Sequence, residues 1–177
     1  SILKTNKMIL LIENFLSFIY ITAIVSFIIV AVLGIIIKLQ FKNEDLFNEF
    51  FKFKIAKIAF PTLIISFSLI FSLGFFICKS AREEIQNNVD IKNNNKLYIN
   101  GVLTKNDSLI KSIKLISSTD NDRNIGNPEI KVNLNEMKLR LVRDFTNKNK
   151  YWVFYENYKS TSKNCIGQIE TGYLDKY

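Results

Sequence analysis

Histidine is absent from the 177 residues, and cysteine, proline, glycine and tryptophan number only two, two, six and one. Without an imidazole, neither a Ser-His-Asp triad nor a histidine-bearing zinc site can be built. Two cysteines make no disulfide framework, and one of them, Cys78, closes an apolar run. Charge is missing too, but only locally. The net charge is +8, yet no charged side chain occurs from Asn14 to Ile37 or from Ile58 to Cys78. The rest of the chain is polar and rich in Asn and Lys, an asymmetry that a simple soluble globule does not show.

As helices the two uncharged runs measure about 36 Å and about 32 Å, enough to cross a bilayer with some tilt. They predict spans of about 8–37 and 58–78. The polar remainder is too small to cover that much apolar surface, which argues against two core helices of a soluble protein. The first run is too long for a signal-peptide core, and no small-x-small cleavage site precedes Lys38. Pro61 is expected in the first turn of the second run, where a missing N–H costs least.

Between the runs, positions 43–57 read as an amphipathic helix. Asn43 is its cap, Glu44 and Asp45 occupy the first turn, and Lys52, Lys54 and Lys57 lie toward the end. Leu46, Phe47, Phe50, Phe51 and Ile58 share one arc, with Glu44, Asp45, Asn48, Glu49 and Lys52 opposite. This pattern expects Phe47, Phe50, Phe51, Lys54 and Lys57 at the membrane interface; a packed connector is the other reading. Pooled by side the positive charges tie, five against five, but helix by helix each span carries more on its loop side: Lys38, Lys42, Lys52, Lys54 and Lys57 outweigh Lys4 and Lys7, or Lys79, Arg82 and Lys92. The positive-inside rule then puts the loop in the cytoplasm and both termini outside. Ser68 and Ser72, and more loosely Ser17, Thr22 and Ser26, are small residues at close-packing spacing, suited to helix approach either within the hairpin or between copies of the chain.

The hairpin is expected to fill positions 1–85, a polar linker 86–96 and a soluble domain 97–177. Leu97–Ile99 and Val102–Thr104 flank Asn100-Gly101, the strongest short hairpin signal. Leu109, Ile110, Ile113 and Ile116 have helical spacing behind Asp107-Ser108. After a polar loop over 117–128 come alternating segments at 130–134 and 138–145. A turn at 146–150 leads into Tyr151-Trp152-Val153-Phe154-Tyr155, and a last strand covers 165–171. The expected fold class is a membrane protein: a two-helix transmembrane hairpin plus a small α+β soluble domain with a mostly antiparallel sheet.

Catalytic signals are thin. Ser108/Lys111 and Ser160/Lys163 match Ser-x-x-Lys, but without the companion motifs of serine acyl-enzymes. Cys165 has no histidine to act as its base. Asp120, Asp122 and Glu129 lack the Gly and terminal Glu of a calcium loop. No cofactor, metal or catalytic group is expected. Lys138, Arg140 and Arg143 lie beside the aromatic run, but the aromatic-basic signature of RNA-binding sheets is absent, so nucleic acid is not expected. Tyr151, Val153 and Tyr155 are expected on one sheet face, and Trp152, Phe154 and Tyr158 on the other. So many rings exceed the needs of one small core, which points to a partner-binding surface of Trp152, Phe154, Tyr155, Tyr158, Arg140 and Arg143. The resulting expectation is a non-enzymatic, two-pass protein of a bacterial inner membrane. Its partners are lipid and a protein, its domain is periplasmic, and its role is that of an immunity or exclusion factor. The competing expectation is a ligand-sensing effector whose spans assemble and perturb the membrane.

Overall fold

The computed structural model describes residues 2–40, 50–89, 95–119 and 125–177. They fall into two compact units, one of Leu11–Gly74 and one combining Ser1–Leu10 with Phe75–Tyr177.

Two long helices supply the first unit. Helix α1 is Ile2–Gln40 and α2 is Lys54–Asn88. Their apolar stretches, Lys7–Leu39 and Lys54–Asn88, are each long enough to cross a membrane. In the most apolar window of each, only 17% and 11% of residues are buried. Within this unit each helix buries one narrow seam. On α1 it contains Leu16, Ile19, Ala23, Ser26 and Ile37, and on α2 Ala56, Ala59 and Ser66. On α1 the buried positions 16, 19, 23 and 26 recur at alternating spacings of three and four, which places them on one helix face. The serine faces outside the seam act otherwise. The hydroxyls of Ser68 and Ser72 donate to the carbonyls of Ile64 and Ser68 at 3.0 and 2.8 Å, and Ser17 and Thr22 donate likewise to Glu13 and Phe18.

Pro61 is placed differently from its expected first-turn position. Helix α2 begins at Lys54, so Pro61 lies inside it, and the Thr62 hydroxyl donates to the Ile58 carbonyl at 2.7 Å. Of the expected amphipathic helix, positions 43–49, including Phe47, lie outside the described residues, as does Lys42. Phe50–Lys52 are helical, Phe53 is a bend, and Lys54 and Lys57 already belong to α2.

In the second unit, among the described residues, six strands form one sheet that is antiparallel throughout, in the order β2-β1-β3-β4-β5-β6. They are β1 Leu97–Ile99, β2 Val102–Thr104, β3 Ile125–Leu134, β4 Met137–Asp144, β5 Lys150–Tyr155 and β6 Gly167–Glu170. Asn100 and Gly101 take positive φ, 49° and 85°, as the tight β1–β2 turn requires. Helix α3, Asp107–Lys114, is capped by Asn106, whose side chain accepts from the Leu109 N–H at 2.7 Å. Its buried Leu109, Ile110 and Ile113 supply the apolar stripe. Strand β3 starts at Ile125, inside the stretch expected to be loop, and the register shifts between Ile125 and Glu129 around Pro128. Between β5 and β6 lies a short helix α4, Lys159–Lys163.

The boundary 86–96 reads differently in three dimensions. Residues 79–88 belong to α2, and Ala81, Glu84, Ile85 and then Val89 are buried within the sheet unit. The Arg82 guanidinium donates to the Ile166 carbonyl, and the Gln86 amide to the Ile116 carbonyl at 3.1 Å. The end of α2 is therefore a core element of the domain and not a tether. Positions 90–94 lie outside the described residues.

Candidate functional site

Strand β5 alternates its side chains between two sheet faces, and both faces are covered. Tyr151, Val153 and Tyr155 share a face with Leu139, Leu141 and Arg143 of β4 and with Ile169 of β6, by the pairing register. On this face the Glu84 carboxylate of α2 is buried. One of its oxygens accepts from the Tyr155 hydroxyl and the other from the Tyr158 hydroxyl, each at 2.7 Å. The two rings meet edge-on, 5.4 Å apart. Burial, followed by the Glu84 carboxylate, pushes the Tyr155 hydroxyl far above the usual phenol range, so it remains a donor at any working pH. Tyr158 was expected with Trp152 and Phe154; it lies with Tyr155 because β5 ends at Tyr155 and the turn through Glu156 and Asn157 breaks the alternation.

On the opposite face, Val142, Trp152, Phe154 and Cys165 form a small apolar cluster. Two cations roof it. The Arg140 guanidinium lies 4.1 Å from the Phe154 ring centre, and the Lys150 ammonium lies 4.5 Å from the Trp152 ring. Arg140 also meets Glu129 at 3.4 Å and Glu156 at 3.6 Å, and donates to the Ser162 carbonyl at 2.8 Å. Arg143 bonds the Tyr151 hydroxyl at 2.9 Å, the Leu174 carbonyl at 3.2 Å and Asp175 at 3.4 Å, fixing the terminal turn Tyr173–Lys176. Burial raises the Tyr151 hydroxyl against the lowering pull of Arg143.

The aromatic surface expected to receive a partner is thus interior. Trp152, Phe154, Tyr155 and Tyr158 are all buried, and the guanidiniums of Arg140 and Arg143 are engaged inside the domain. Both faces of the strand are covered, one by α2 and the other by cations and α4, so an aromatic excess in sequence became two cores. The thiol of Cys165 is buried and donates to the Gly167 carbonyl at 3.0 Å. Of the acidic loop, Asp120 and Asp122 lie outside the described residues, and Glu129 meets Arg140. Glu84 escaped the sequence reading. The signal was there in Ala81, Ile85 and Val89, an apolar stripe at helical spacing through a polar stretch.

No family model, curated protein or solved structure matches this chain.

Among the described residues, the two edges of the sheet are treated unequally. At β6, Ser117 closes the edge with reciprocal backbone bonds to Gln168, each 3.0 Å. At β2 no strand pairs with the edge among the described residues, and Val102 and Leu103 are each 63% exposed. Natural sheets protect such edges unless something pairs with them.

Proposed function

We propose that the chain is a non-enzymatic, two-pass protein of a bacterial inner membrane whose sheet domain binds a protein partner. The observation that carries this reading is where apolar surface is left bare: along both long helices, where lipid matches it, and at the β1–β2 hairpin, where a partner does. A bilayer is the solvent in which helices apolar on every side are stable. Val102 and Leu103 form the contact, in place of the aromatic run. Protection of the host cell, as an immunity or exclusion factor, is the use we assign to such a display module. The charge distribution around the spans supports a domain on the outer side.

The reading is tested by placing a photo-crosslinkable residue at Leu103 or, as a control, at exposed Glu170 in the full chain in its native membrane. A heterologous protein adduct at 103 alone is the expected result. Equal adducts at both positions, or adducts only with another copy of the chain, overturn the assignment of the hairpin. Trp152→Ala or Tyr155→Ala would report folding instead, because both rings are interior.

A further inference from the structure

The Leu11–Gly74 unit contains a cavity of about 420 Å³, within the range of about 300–1,000 Å³ seen for small-molecule sites. Val30, Gly34 and Ile37 of α1 form one side, and Phe50, Phe51 and Phe60 form the other. The three rings brace one another edge-to-face, with centres 5.3, 5.6 and 6.3 Å apart. Gly34 borders open space, where an added Cβ meets nothing within 4 Å, so a larger side chain there would project into it. Among the described residues Lys38 is the one charged side chain of the lining, and it is the first charge after the run 14–37. In a spanning helix, that is the depth at which hydrocarbon gives way to headgroups.

We propose that this cavity holds an acyl chain of an anionic phospholipid whose phosphate meets Lys38. The proposal rests on the membrane reading above. An apolar chamber with one cation at the headgroup level matches a molecule with a long apolar body and one anionic group. A soluble anion would leave the aromatic wall unused, and a neutral apolar compound would leave Lys38 unused.

The test is lipid retention by the purified full-length chain in neutral detergent, followed by native mass spectrometry. Phosphatidylglycerol and phosphatidylcholine with identical chains are offered together. Wild type is expected to retain the anionic lipid about five-fold better, the weight of one lysine beside anionic lipid. Lys38→Gln brings the two lipids to parity, whereas Gly34→Phe and Gly34→Leu fill the cavity and release both. Circular dichroism checks that the filled variants keep their helices; Lys38→Gln carries the test if one does not. Equal retention of both lipids by wild type, a preference that survives Lys38→Gln, or undiminished retention by a folded Gly34 variant overturns the proposal. Carbonate extraction of the starting membranes separates the two readings. A chain that washes off defeats the membrane reading itself, whereas a chain that stays and shows no lipid preference defeats only the lipid site.

Discussion

Glu84 is the residue on which attachment of α2 to the sheet turns. Its carboxylate accepts from two buried phenols, and truncation removes that shared acceptor. Glu84→Ala is expected to destabilise the sheet domain by about 3 kcal/mol, and Tyr155→Phe by about 2 kcal/mol, since Tyr158 then still serves the carboxylate. Denaturant unfolding of the full chain in detergent, followed by Trp152 fluorescence, measures both; equal stability of Glu84→Ala and wild type would contradict the packing described. Asp144 acts at the β4–β5 turn. One of its oxygens accepts from the Thr146 hydroxyl at 2.6 Å and from the N–H groups of Thr146 and Asn147 at 2.9 Å each. Burial works to raise this carboxyl, but these bonds and the charge of Lys150 together hold it below its ordinary value. A depressed folded-state value stabilises above the unfolded value of about 3.9, and that stabilisation is lost as pH falls through the folded value. Asp144→Asn is therefore expected to cost about 1 kcal/mol at neutral pH, and the gap to wild type should close below about pH 4. A gap that stays constant down to pH 2 would mean that the carboxylate's charge contributes nothing.

Among the elements, β6 shows how closely the chain is packed behind the sheet. A Cβ at Gly167 would come within 2.3 Å of the Ser117 carbonyl and 2.8 Å of the Ile116 side chain. Neither the backbone oxygen nor the buried isoleucine yields easily. Gly167→Ala is expected to cost about 3 kcal/mol by overpacking and to open the bond pair between Ser117 and Gln168, seen as faster amide exchange at Gln168; unchanged exchange would refute the close approach. Elements with strong local signals were legible. The Asn100-Gly101 turn, the spacing of Leu109, Ile110 and Ile113, and the alternation in β4 each state their own structure. The seam of α1 was not, because its buried and exposed residues are equally apolar. Burial of β5 on both faces was also hidden, since its covers, Glu84 and the α4 helix, come from distant or weakly patterned sequence.

For the molecule as a whole, orientation is the most informative prediction. If the loop lysines lie in the cytoplasm, a reporter fused after Tyr177 that works only outside the cytoplasm should be active, and one fluorescent only inside should be dark. The reverse result would move the bare β2 edge to the cytoplasmic side and exclude capture of an incoming protein. Sequence by itself determined the two long apolar helices, the confinement of polar chemistry to one part of the chain, and an antiparallel sheet with a helix. These follow from local composition and period, which each segment carries without its neighbours. Only the tertiary structure decided that α2 ends inside the domain core, that the aromatic run is interior, and that β2 is the bare edge while Ser117 closes β6. Burial is a property of pairs of segments, and which distant segment covers a given face is written in neither one alone.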